Sequence, residues 1–195
     1  MGPDKALTSR KSTGDELWIL SGPPGSGKTA ILEELRGSLR CVDEPARRVL
    51  AEQRTSGGLG TPERDPARFV ELLLEAAVAD HERASLGGGP TLFDRGIPDC
   101  IAYAIQLGVD SGPSVRASDR YRYHDEVLIL EPWEEIYATD DERTMSFADT
   151  VAFHMALEDA FDRSGYRRIT VPRGPVAARA AFVSKRTLGQ TAGGR

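Results

Sequence analysis

The sequence predicts a three-layer α/β fold built on a five-stranded parallel sheet. Three observations carry that expectation. Short apolar runs alternate with longer amphipathic stretches, which is the pattern of βαβ units. The runs at 17–20 and 127–130 are apolar throughout, as strands covered on both faces are. The first run passes at once into a glycine-rich turn and then an amphipathic stretch, the layout of a phosphate-binding unit.

Each element follows in order. Residues 1–15 are polar and read as a flexible N-terminal tail, and the domain spans 16–184. Its first strand, 17–20, leads through the turn to a helix at 28–37. A second strand at 39–43 precedes a helix at 45–54, which Pro45 opens at its first position. Three glycines make 56–62 a loop. Over 65–85, Phe69, Leu72, Leu73 and Ala76 recur at i, i+3, i+4 and i+7, one face of a helix. Gly87-Gly88-Gly89-Pro90 stops it, and the third strand, 91–93, ends at Asp94. A helix at 98–107 and a polar, helix-compatible segment at 114–123 come before the fourth strand, 126–130. The acidic stretch 131–142 and a helix at 144–164 lead to the fifth strand, 168–171. A last helix starts at Pro175, and 185–195 read as a flexible C-terminal tail.

Length and composition bound the function. The 195 residues suit one domain, and 39% hydrophobic with 28% charged residues suits a soluble core. The net charge of -5 argues against bulk electrostatic binding to nucleic acid. Its division is more telling: 163–195 carries eight basic and no acidic residues, leaving -13 on 1–162. A basic segment on an acidic body suits one that faces an anion, or a solvated end. No apolar run reaches a membrane span, and 1–13 lacks a signal peptide's apolar stretch. Cys41 and Cys100 have no metal-ligand spacing and read as reduced thiols of a cytoplasmic protein. A homodimer is compatible with this composition.

The turn Gly22-Pro23-Pro24-Gly25-Ser26-Gly27-Lys28-Thr29 fits G-x-x-x-x-G-K-[ST] at every fixed position. Glycines let successive backbone N–H groups converge on an anion, and the helix N-terminus adds partial positive charge. Gly22, Gly25, Ser26, Gly27, Lys28 and Thr29 are therefore expected to hold a triphosphate. Lys28 would reach its β- and γ-phosphates and the Thr29 hydroxyl would bind Mg²⁺. No N-K-x-D or T-K-x-D segment follows the fourth strand, so ATP is expected and not GTP.

Acids follow the second and third strands, where an α/β sheet puts its chemistry. Asp43-Glu44-Pro45 ends the second strand and Asp94-Arg95 the third. Phosphoryl transfer to a hydroxyl needs one carboxylate for hydrated Mg²⁺, here Asp94, and another to orient the acceptor or take its proton. Asp43, Glu44 and Asp94 all stand open for the second role. Arg95 is a candidate clamp on an anionic acceptor or the moving phosphoryl group. Arg47 and Arg48 read as a solvated helix face, and the 56–62 loop with the helix from Asp65 as the acceptor pocket.

The phosphate turn, Glu44-Pro45 and Asp94-Arg95 together resemble the P-loop nucleoside and nucleotide kinases. The strings VDEPAR, FDRGIPDCIAY and LEPWEEIY resemble more closely a bacterial family of small kinase-like ATPases often called the AAA family, over about 17–182. The resemblance implies a P-loop NTPase fold of nucleoside-kinase type, with ATP and Mg²⁺ as cofactors. It implies Glu44 as the base and a mobile lid at 134–146, whose Arg143 reaches the phosphates or pairs with Asp140 on the surface. It places adenine beside Arg173, which stacks on the base or belongs to a plain connector. The function implied is ATP-dependent transfer of the γ-phosphoryl to a hydroxyl of a small acceptor, nucleoside-like or otherwise. The alternative is an ATPase switch acting on a protein partner.

The remaining aromatic residues add little. His154 reads as a packing residue, His81 as a helix-surface residue, and His124 as a candidate lining of a substrate pocket. Trp133, at a strand end, suits packing against a ligand or a hydrophobic plug.

Overall fold

The computed structural model describes residues 16–137 and 145–189. Five short strands form its sheet: β1 Leu17–Ser21, β2 Arg40–Val42, β3 Thr91–Asp94, β4 Glu126–Ile129 and β5 Arg167–Thr170. All four pairings are parallel, in the order β2-β3-β1-β4-β5. Parallel neighbours need crossovers, and helices supply them: α1 Lys28–Leu35, α2 Pro45–Ser56, α3 Pro66–Gly87, α4 Ile97–Gln106, α5 Gly112–Arg120, α6 Phe147–Arg163 and α7 Val176–Gly189. This is the predicted α/β class with its five-stranded parallel sheet.

Alternation along β1 sorts the helices into layers. Leu17 and Ile19 point into a core shared with Val49 of α2, Phe69 and Leu73 of α3, Ile101 of α4 and Leu157 of α6. Trp18 and Leu20 point the other way, against Ile31 and Leu32 of α1 and Ala180 and Val183 of α7. The β1 side chains on both faces are buried, each aliphatic one contributing roughly 1.5–3 kcal/mol. A central strand covered on both sides must be apolar at every position.

Some boundaries differ from the sequence expectation. Asp65 caps α3, its side chain accepting from the Arg68 N–H, and the helix runs on to Gly87. α6 begins only at Phe147, where Ser146 and Asp149 form a reciprocal capping box. α7 continues to Gly189, past the position 185 where a tail was expected, because Thr187 is buried and Arg186 reaches Glu126. The tails 1–15 and 190–195 and most of the candidate lid, 138–144, lie outside the described residues. No helix among the described residues is long and apolar enough to cross a membrane.

Candidate active site

Sheet register brings the distinctive segments together. Leu20 of β1 sits opposite Asp94 of β3, and Val42 of β2 opposite Phe93. The turn after β1, the acids after β2 and the pair after β3 thus emerge on one edge of the sheet, beside the crevice where the chain direction of winding reverses. A cavity of about 520 Å³ opens there. Gly25, Gly27, Lys28 and Thr29 form one wall, and Arg47, Leu50, Ala51 and Arg54 of α2 another. Those four α2 residues stand at i, i+3, i+4 and i+7, a single helical face. Glu44, Arg95 and Tyr103 line it as well.

Lys28 is buried within the turn and donates to the carbonyls of Gly22 and Pro23 at 2.8 and 3.1 Å. Burial lowers its pKa to about 8, with the nearby Arg95 charge acting in the same direction. The Ser26 hydroxyl donates to the Pro23 carbonyl at 2.8 Å and braces the turn.

The adjacent acids Asp43 and Glu44 part company. Asp43 is exposed and paired with Arg36, and it does not line the cavity. Glu44 does, and its carboxylate accepts from Arg95 Nε at 2.7 Å and from Tyr103 Oη at 3.3 Å. Burial alone would raise the Glu44 pKa, but the Arg95 and Lys28 charges override it and hold the carboxyl well below its usual range. Asp94 goes the other way. Burial raises its pKa against the pull of Lys28, and Glu44 adds to the rise.

Arg95, expected as a clamp on an anion, is already engaged. Its side chain is 3% exposed and donates to Asp99 Oδ1 at 3.2 Å as well as to Glu44. Its guanidinium carbon lies 5.6 Å from the Tyr103 ring centre and 5.4 Å from that of Phe153. Its backbone, at φ 70°, is in the left-handed region, costing of order 1 kcal/mol. Two carboxylates hold the side chain that this turn presents.

The residues that build this network escaped the sequence reading. Asp99 is buried; it accepts from Ser21 Oγ at 2.5 Å and from the Gly96 N–H at 2.8 Å. The available signal was its place three residues after Gly96, where an acid satisfies a helix's first N–H groups. Tyr103 carried no signal of its own. The second wall of the cavity is α2, whose Arg47 pairs with Glu44 at 3.3 Å, and no residue of the 56–62 loop lines it. Arg48 pairs with the buried Asp80 at 2.7 Å.

Magnesium fits the donors present. Asp94 Oδ1, at the end of β3, is a buried oxygen with no hydrogen-bond partner among the described residues, and Thr29 lines the cavity beside Lys28. No cluster of three or more metal-ligating acids, histidines or cysteines exists among the described residues. Thr29 and Asp94 therefore match an ion that takes few protein oxygens and completes its shell from phosphates and water.

Other expected positions sit elsewhere. Arg143 lies outside the described residues. Arg173 donates to the Pro132 carbonyl at 2.8 Å, its guanidinium carbon 5.9 Å from the Trp133 ring, and it does not line this cavity. Of the candidate lid, a 3-10 turn at Glu134–Ile136 puts Ile136 in the cavity wall, and Tyr137 packs on the phosphate turn. A Cβ on Gly25 would lie 2.6 Å from the Tyr137 ring. His124 is no pocket residue: it stacks on Trp18 at 3.5 Å, at the amino end of β1, the sheet edge opposite the cavity. His81 is not a surface residue either, being buried against Tyr123 with its Nε2 at 3.0 Å from the Arg122 carbonyl.

The chain's likeness to known proteins agrees with this architecture. A family model described as AAA domain matches residues 17–179. Among solved structures, the thymidylate kinase from Ehrlichia chaffeensis is 18% identical, with a TM-score of 0.57 over 90% of this chain and 99% of that one. The YorR protein of Bacillus subtilis, solved in complex with phosphorylated GDP, is 12% identical, with a TM-score of 0.60 over 90% of this chain and 98% of that one. At these identities the likeness is one of fold. No curated protein matches the chain.

Proposed function

The chain belongs to the AAA domain family, and on that premise we propose that it is a phosphotransferase moving the γ-phosphoryl of ATP to a hydroxyl of a small metabolite. One observation carries the reading: Glu44, held ionised by Arg95, shares a single cavity with the phosphate turn. Water attack alone needs no second wall, whereas α2 presents Arg47, Leu50 and Arg54 across from Lys28. That wall fits an acceptor with an apolar body and a negative charge.

Each side chain then has a role. The amides of the turn and Lys28 bind the phosphates, and Lys28 exchanges its two carbonyl contacts for phosphate oxygens. Thr29 and Asp94 would hold Mg²⁺, which would supply charge neutralisation to the phosphates. Glu44 accepts a hydrogen bond from the acceptor hydroxyl and orients its oxygen. A carboxylate with a lowered pKa is a weak base, but transfer through a loose transition state asks mainly for positioning. Arg95 and Asp99 fix the Glu44 carboxylate. Ile136 lines the cavity and Tyr137 packs on the phosphate turn, so the described end of the candidate lid borders the site. The free cysteines Cys41 and Cys100 support a reducing, cytoplasmic setting.

The test is a panel of neutral and phosphorylated or carboxylated hydroxyl acceptors with ATP and Mg²⁺, following phosphorylated product and phosphate release separately. Acceptor-dependent product is expected, and phosphorylated or carboxylated acceptors should outperform their neutral counterparts. Lys28→Ala should abolish turnover, and Asp94→Asn should lower kcat by about 10²-fold or more. Turnover that no acceptor alters would replace this reading with an ATPase switch.

A further inference from the structure

Arg179, in the first turn of α7, is a buried cation with no anion beside it among the described residues. It is 5% exposed, and none of their carboxylates pairs with it. Its Nη1 donates to the Ser26 carbonyl at 3.1 Å, and its Nε is buried with no partner among them. The guanidinium carbon lies 5.5 Å from the Trp133 ring centre. Burial alone moves its pKa, downward, with no acid opposing. Arg95, equally buried, has Glu44 and Asp99 as counter-ions. A buried charge left uncompensated is costly, so the contrast calls for a cause.

The place of Arg179 supplies one. A Cβ on Gly27 would stand 2.6 Å from Nη1 and push the guanidinium aside, and the backbone there, at φ 87°, favours glycine. The peptide between Ser26 and Gly27 is planar and trans, so the Ser26 carbonyl and the Gly27 N–H point in opposite directions. A cation bonded to that carbonyl aims the N–H away from itself and polarises it as a donor. Gly27 lines the cavity, while Arg179 does not.

We propose that Arg179 is a positioning residue of the phosphate site: it fixes the Ser26–Gly27 peptide with its N–H turned to the bound anion, which supplies the counter-charge that the described residues do not. The inference rests on the turn binding a polyphosphate, as in the proposed function, but not on transfer to any acceptor.

The test uses the full chain, inorganic pyrophosphate as probe and Arg179→Met. Calorimetry should show pyrophosphate binding weakened by about tenfold, the size of one charge-assisted hydrogen bond. The thermal midpoint without ligand should equal or exceed the wild-type value, because the unpaired charge is gone. The unliganded Gly27 amide proton should move upfield as its carbonyl partner is lost. A lowered midpoint with pyrophosphate affinity within about twofold of wild type would mean a packing role only and would overturn the proposal. Should Arg179→Met not fold, Arg179→Lys decides the matter. Retained charge should keep affinity within about threefold, and a loss of about tenfold or more would overturn it. If nucleotide binds but no acceptor is phosphorylated, the phosphotransferase reading falls while the Arg179 result stands.

Discussion

Lys28 carries a pH dependence that can be worked out from its surroundings. Burial and Arg95 hold its pKa down at about 8 in the unliganded protein. Phosphates favour the charged ammonium and raise that value on binding. Binding at pH 8.5–9 therefore takes up a proton, and affinity for an ATP analogue should fall by about tenfold per pH unit above 8. Calorimetry in buffers of different ionisation enthalpy reads the uptake directly, and Lys28→Ala should remove it. A pH-independent affinity up to pH 9.5 would contradict the assignment. The two acids beside Lys28 are driven apart, Glu44 to the ionised side by Arg95 and Asp94 to the protonated side by burial. That split matches one carboxylate ready for an acceptor and one that becomes fully ionised when a cation arrives. Lys28, Glu44 and Asp94 were legible in the sequence because a motif or a strand end marks each. Asp99 and Tyr103 were not, since an acid and an aromatic on an ordinary helix acquire meaning only when Arg95 folds against them.

Elements place these residues with unequal margins. α3, the longest helix among the described residues, packs against both α2, which lines the cavity, and α4, which carries Asp99 and Tyr103. Its cap is a single bond from the Arg68 N–H to Asp65 Oδ1 at 2.9 Å. Asp65→Ala should cost about 1 kcal/mol in denaturant unfolding, with kcat unchanged because Asp65 does not line the cavity. A loss of activity at unchanged stability would instead put the start of α3 in the site. Periodicity and turn residues made the strands and most helices readable, since each depends on neighbours a few residues away. They do not by themselves place the loop aromatics. His124 reads from sequence as a candidate pocket lining, yet it precedes β4 and stacks on Trp18 at the amino edge of the sheet, away from the cavity. Nor do they rank α2 above the loop after it as a wall of the cavity, because that depends on which helix face the sheet's twist turns toward the phosphate turn.

Across the whole molecule, charge that is divided along the chain is largely reunited in space. Arg163, Arg167, Arg168 and Arg186 of the basic segment pair with Asp159, Glu126, Glu158 or Asp162, and Glu126. The segment thus ties β5, α6 and α7 to acids of the body, and does not present one anion-binding face. Arg173 and Arg179 differ, donating to backbone carbonyls near the phosphate turn. Because the turn, α1 and α7 pack as one layer, an anion bound there should stabilise the entire domain. A Mg²⁺–ATP analogue at about 100 times its Kd should add about 2.7 kcal/mol. The thermal midpoint should then rise by roughly 5–10 °C. No shift at that saturation would argue against a nucleotide site. By itself the sequence determined the α/β class, the order of strands and helices, the phosphate turn and the acids at two strand ends, all of which local pattern encodes. Only the tertiary structure decided which acid enters the cavity, that Arg95 serves Glu44, and that Arg179 stands behind the turn. Those outcomes depend on contacts between residues up to 153 positions apart, and no window of sequence contains both partners.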